Sequence, residues 1–224
     1  MENKIAQVAV GLPLEGPFDY SLDAPLRAKA QRGMRVRVSF GPRQKVAYIV
    51  GFTPASRFGK LKSIQTLIDE VPVLDEALLK LTSELAAYYG CSHGEAIEAS
   101  LPAPIRNGKP FECGPAQEAA RPAPGTPETI LLHDHGSVKR WPYLIESVKK
   151  TLAAGQSVIF LVPETHLIED VHLKLKDSGV SDIALWDKRA KPAQELEQWA
   201  RVKSGQTRMV VGTRSAVFAP VRHL

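Results

Sequence analysis

The chain has 224 residues, 44% of them apolar and 24% charged, with a formal net charge of +5. That length fits one large domain or two small ones, and the composition is that of a soluble globular protein, which excludes wholesale disorder and a long coiled coil. No apolar run approaches the roughly 20 residues that cross a bilayer, no signal-peptide pattern opens the chain, and two cysteines (Cys91 and Cys113) cannot build a disulfide framework, so the expected compartment is the reducing cytoplasm.

Residues 5–12 alternate and are β-branched, which predicts a strand ended by Pro13, Gly16 and Pro17. Residues 18–22 predict a second, short strand. Residues 34–40 alternate strictly, with Arg35, Arg37 and Ser39 on one face and Val36, Val38 and Phe40 on the other. Gly41-Pro42 turns the chain, residues 45–52 return as a strand, and residues 62–68 read as a further one. Together they predict a small antiparallel, barrel-like sheet with one wet, basic face.

From Asp75, an N-cap residue, the period becomes helical: Leu78, Leu79, Leu81, Leu85, Tyr88 and Tyr89, ending at Gly90. Ser92-His93-Gly94-Glu95 opens a second short helix that runs toward Leu101-Pro102. Residues 107–127 hold eight glycines and prolines, too many for a regular element. They read as a linker between a domain at 1–106 and a lobe at 128–224. Beyond it, residues 129–132, 157–162, 183–186 and 207–212 read as strands. They alternate with helices at 142–153, 164–177 and 193–202, the pattern of a parallel α/β sheet. The fold class expected is therefore α+β followed by α/β, in two domains.

Charge is unevenly placed. From Arg27 to Lys62 there are ten basic residues and no Asp or Glu, twice the net charge of the whole chain. The run is interleaved with Val36, Val38, Phe40, Val46, Tyr48, Ile49 and Val50, so it is folded strand and not a loose tail. Such a surface, with Arg35, Arg37, Arg43 and Lys45 at its centre, pairs with the phosphates of a nucleic-acid backbone and releases their counterions. A basic sheet face with no ligand is the plain alternative.

Three segments together resemble one family. The first is Leu12-Pro13-Leu14, then Pro17-Phe18-Asp19-Tyr20, then residues 33–41 (GMRVRVSFG). The second is Ala87-Tyr88-Tyr89, followed by Gly94-Glu95 and residues 101–110 (LPAPIRNGKP). The third is Leu161-Val162-Pro163-Glu164 with residues 211–220 (VGTRSAVFAP). In this order and spacing the chain resembles the N-terminal portion of the PriA family, the primosomal N′ proteins of bacterial replication restart.

The resemblance implies a domain that binds the 3′ end of a nascent strand at a fork, through Phe18, Asp19, Tyr20, Gly41 and Lys62. The chemistry suits those residue types. An aromatic face stacks a base, a carboxylate accepts a hydrogen bond from a free 3′-hydroxyl, a lysine neutralises the next phosphate, and a glycine lets the backbone come close.

The resemblance also implies a RecA-like first helicase lobe after the linker, with ATP and Mg²⁺ as cofactors. The phosphate loop that such a lobe needs is degenerate here. Gly136, Ser137 and Lys139 remain in register, but His133 replaces the first glycine, Val138 the second and Arg140 the Mg²⁺-binding hydroxyl. No catalytic residue is assigned. Thr213, Arg214 and Ser215 match a helicase-like motif at the end of a parallel strand, where ligands gather.

The Asp-Glu-x-His motif, the second lobe, the zinc cluster and the winged-helix domain of the family are not found, so no cofactor is expected in this chain. His133 and His135 read as solvated, and Trp141, Trp186 and Trp199 as packing residues. The expected function is capture of a fork with a free 3′ end without unwinding. The alternatives are the N-terminal part of an active 3′-to-5′ helicase, or a scaffold for restart factors that include single-stranded-DNA-binding protein.

Overall fold

The structure, a computed structural model, describes residues 5–111, 128–135, 140–187 and 189–224. The chain divides into two units, Met1–Phe111 and Glu112–Leu224.

In the first unit, β1 (Ile5–Val10), β2 (Phe18–Tyr20), β3 (Arg35–Phe40), β4 (Arg43–Thr53) and β5 (Thr66–Leu67) form one antiparallel sheet in the order β2-β1-β4-β3-β5. Its two edges come together. Ser21 N–H donates to Lys62 O and Ile64 N–H donates to Ser21 O, both at 3.0 Å, so the chain after β2 pairs with the chain before β5. One sheet face is lined by Ala6, Val8, Val10, Val36, Val38, Ala47 and Ile49, all 3% exposed or less. The residues predicted to form a strand at 62–68 are therefore paired at both ends, but only Thr66 and Leu67 are regular strand. A short helix, α1 (Ala24–Lys29), occupies a stretch that the sequence left without an element.

The helices α2 (Glu76–Tyr89), α3 (His93–Ser100) and α4 (Ala103–Arg106) follow β5. Asp75 accepts from Leu78 N–H at 2.9 Å to start α2, and Gly90, in the left-handed region at φ 65°, ends it. Ser92 and Glu95 form a reciprocal capping box at the start of α3. The Ser92 hydroxyl also donates to Leu12 O at 2.7 Å, which ties the segment leaving β1 to α3. Helix α3 approaches β1 most closely at Gly94, where a Cβ would lie 1.8 Å from the Val10 carbonyl oxygen. Backbone cannot yield as a side chain can. Gly94→Ala is therefore expected to destabilise the first unit by about 3 kcal/mol, the upper range of overpacking. Thermal unfolding checks this, and an unchanged melting temperature contradicts it.

In the second unit, α5 (Arg140–Ala153), β6 (Val158–Leu161), α6 (Leu167–Asp177), β7 (Ile183–Trp186), α7 (Pro192–Ser204) and β8 (Met209–Gly212) alternate. The three strands are parallel in the order β6-β8-β7. The chain passes over the β8 position and then returns to fill it, so right-handed crossovers place α6 and α7 on opposite faces. The packing agrees. Val171 and Leu175 of α6 join Val148 of α5 against Met209 and Val211, while Val202 of α7 packs with Ala184 and Val210. Trp199 is buried at 1% exposure, and Trp141 stacks parallel on Phe160.

The expected strand at 129–132 is corrected: these residues form no strand, and Leu131 is 90% exposed. An apolar run becomes a strand only where another strand pairs with it. Residues 112–127 of the expected linker, and Gly136, Ser137 and Lys139, lie outside the described residues. No helix among the described residues is long and apolar enough to cross a membrane.

Candidate nucleic-acid interface

A cleft of about 670 Å³ opens on the first unit. Its walls come from β2, the end of β3 with the turn after it, and the segment 57–62 before β5. Phe18, Asp19, Tyr20, Gly41 and Lys62, predicted from three separate stretches of sequence, all line it. The reason is topological. β2 and β5 are the two edges of the sheet, and the hydrogen bonds at Ser21 draw them together beside the β3–β4 hairpin.

The five residues are held differently. Phe18 is half-buried and meets Phe40 edge to face, with ring centroids 5.0 Å apart. Tyr20 is 5% exposed, and its hydroxyl donates to Ser39 O at 3.0 Å. Burial pushes the Tyr20 phenol up, so it stays a neutral donor. It supports the cleft wall and leaves little ring face for a base.

Asp19 is half-buried and accepts from the Ser56 hydroxyl through Oδ2 at 2.6 Å. Gly41 is the first residue of a two-residue turn between the paired residues Phe40 and Arg43, with φ 58°. Hairpin turns of that length favour glycine there, because the left-handed region costs it little. Lys62 is exposed, and its ammonium lies 3.4 Å from both Ser39 O and Gly41 O. An ammonium has three protons, so one remains for an anion in the cleft.

The expected basic face is corrected in one respect. Arg35 is not on a wet surface: it is 0% exposed and paired with Asp69, itself buried. Arg35 Nε donates to Asp69 Oδ2 at 2.9 Å, and its two terminal nitrogens also reach the carbonyls of Ile105 and Lys109. It anchors the end of α4 to β3 and cannot touch DNA in this position.

Nor do the remaining cations share one face. Val38 pairs with Lys45 and Phe40 with Arg43, whereas Arg37 pairs with Val46 on the opposite side. Arg37 and Arg43 are exposed, and Lys45 is half-buried.

Three cleft residues, Arg57, Phe58 and Lys60, were not assigned to the site from sequence, and neither was Ser56, which touches Asp19. Ser56 holds Asp19, and its oxygen also accepts from Phe58 N–H at 3.2 Å. The Arg57 guanidinium sits 5.0 Å from the Phe58 ring centroid. Arg57-Phe58-Gly59-Lys60, a cation–aromatic–cation run inside the acid-free stretch, is the signal that points to them.

In the second unit Thr213 and Arg214 follow the C-terminal end of β8, with Arg214 opening a 3₁₀ turn over Arg214–Phe218. Ser215 Oγ is buried without a hydrogen-bond partner among the described residues. His133 and His135 are exposed, with rings 4.5 Å apart, and no group of three metal-binding side chains occurs among the described residues. His133 and Arg140 stand on either side of residues 136–139, which lie outside the described residues.

Residues 7–102 match the family model of the PriA 3′DNA-binding domain. The chain is 25% identical to the replication restart protein PriA of Treponema pallidum over 97% of its length, covering 37% of that protein. It is 24% identical to the probable replication restart protein PriA of Mycobacterium tuberculosis over 94% of its length, covering 36%. With the replication restart protein PriA of Bacillus subtilis the identity is 35% over 98 residues, 43% of this chain and 12% of the relative. The chain thus spans little more than a third of the first two relatives.

Proposed function

Since residues 7–102 carry the PriA 3′DNA-binding domain and the chain resembles PriA proteins over most of its length, we propose that the cleft of the first unit captures the free 3′ end of a nascent strand at forked DNA, in the service of replication restart. The observation that carries this reading is convergence: Phe18, Asp19, Tyr20, Gly41 and Lys62 line one cleft.

The terminal nucleotide enters with its base toward Phe18. Its 3′-hydroxyl donates to Asp19, whose other oxygen is occupied by Ser56. Lys62 neutralises the phosphate on the 5′ side. Arg43 and Lys45 extend the positive field along one face of the hairpin, where they meet backbone phosphates, and Arg37 carries positive charge on the opposite face. An internal linkage has no 3′-hydroxyl to donate, so the carboxylate selects an end. The meeting of the two sheet edges at Ser21 reads as a small barrel, and the second unit as the first lobe of a helicase-type fold.

The selectivity is tested by comparing forks that end in a 3′-hydroxyl with forks that end in a 3′-phosphate. The second unit supplies no hydrolysis in this reading, because its phosphate loop lacks both glycines and the hydroxyl. This chain is expected to hydrolyse ATP no faster with saturating fork DNA than without it. DNA-stimulated turnover in a phosphate-release assay would instead favour an active motor.

A further inference from the structure

The cleft is larger than one base and its sugar require. Its volume of about 670 Å³ lies in the middle of the range, about 300–1,000 Å³, that holds drug-sized ligands. Three of its lining residues, Arg57, Phe58 and Lys60, have no part in the contacts assigned above.

Three observations bear on the loop that carries them. Phe58 is 55% exposed, whereas the other six phenylalanines are half-buried. The Arg57 guanidinium lies 5.0 Å from the centre of its ring, and Lys60, which lines the same cleft, makes no ion pair or hydrogen bond among the described residues. Ser56 then couples Phe58 to Asp19: one oxygen donates to Asp19 and accepts from Phe58 N–H. The ring is thus set in register with the carboxylate that reads the end. Glu15 and Asp19 are the acids of the cleft, and they stand on the β2 side of it.

Resting on the 3′-end reading, we propose that Phe58, Arg57 and Lys60 form a second subsite that stacks the penultimate base and holds its phosphate. The cleft then takes a single-stranded dinucleotide end. A flat apolar ring accepts any base, because every base has a π-face, so the subsite adds affinity without sequence preference. A base laid on Phe58 is unstacked from its neighbour, and the nascent strand must fray by two nucleotides to enter.

The test uses short DNA oligonucleotides with a 3′-hydroxyl and 2-aminopurine at the penultimate position, titrated with the full chain and with Phe58→Ala and Phe58→Trp. Phe58 is exposed in a loop, so the alanine variant is expected to melt like the parent. The parent should alter the 2-aminopurine fluorescence on binding, and Phe58→Ala should abolish that change. The alanine variant should bind about tenfold more weakly, within the range of base stacking on an aromatic. Phe58→Trp should restore both signals.

The preference for a 3′-hydroxyl over a 3′-phosphate should be the same in all three proteins. If Phe58→Ala binds within twofold of the parent, or leaves the fluorescence change intact, the subsite is wrong while the 3′-end reading stands. If the parent itself shows no preference for the hydroxyl, the 3′-end reading fails instead.

Discussion

Replacing Arg35 by alanine is expected to lower the melting temperature of the first unit by more than about 10 °C. The Arg35 side chain is 0% exposed and that of Asp69 is 2% exposed. Removing one partner leaves a carboxylate in the core with no counter-charge, which costs about 3–5 kcal/mol. A domain of this size loses about 4–8 °C for each kcal/mol. Two further bonds are lost, to the carbonyls of Ile105 and Lys109, so residues 105–109 detach from β3 together with the pair.

Replacing both partners by apolar residues of similar volume, Arg35→Met with Asp69→Leu, should recover most of the stability, since two desolvated charges are removed together. The pair of experiments also decides what kind of residue Arg35 is. A DNA contact on a wet strand face would give weaker binding and an unchanged melting temperature. The buried anchor gives the reverse order of events, with lost folding first and lost binding only as its consequence.

Asp19→Ala is expected to erase the discrimination between 3′-hydroxyl and 3′-phosphate ends by acting on both in opposite directions. A hydrogen bond to a charged group is worth about 1.5–3 kcal/mol, so the hydroxyl end should bind roughly ten- to a hundredfold more weakly. The phosphate end should bind somewhat more tightly, because the carboxylate that repels it is gone. Asp19→Asn keeps an acceptor of the same shape and removes the charge. It should retain part of the hydroxyl affinity and lose the repulsion. Ser56, released from Asp19, keeps its bond from Phe58 N–H, so the loop should stay in place in both variants. Fluorescence anisotropy with the two ends at one salt concentration reads all four affinities.

Much of the first unit was legible because its signals are local. The strict alternation of residues 34–40, the Gly41-Pro42 turn, the Asp75 cap and the Gly90 stop each depend on residues within a few positions of one another, and each stands where the sequence put it. The five cleft residues were legible only through a resemblance to a family. Nothing in the spacing of Phe18, Gly41 and Lys62 says that two sheet edges meet.

Arg35 was misread for a physical reason. Alternation tells which face a side chain takes, and a charge usually marks the face as wet. What buries Arg35 is Asp69, a partner 34 positions away, together with carbonyls near the end of α4. The loop at 54–61 has no hydrophobic period, so only the cation–aromatic–cation run at 57–60 marks Phe58, and Ser56 carried no pattern to read. Residues 129–132 erred the other way, since an apolar run was taken as a strand although pairing is decided elsewhere in the chain.

On the proposed reading, this protein distinguishes the chemistry of a strand end. That reading is tested most directly by titrating the full chain with one forked duplex whose nascent strand ends at the junction in either a 3′-hydroxyl or a 3′-phosphate, at fixed ionic strength. Binding to the hydroxyl end is expected to be at least about tenfold tighter, the value of a hydrogen bond to Asp19 set against repulsion of a phosphate. Equal affinity for the two ends would contradict it.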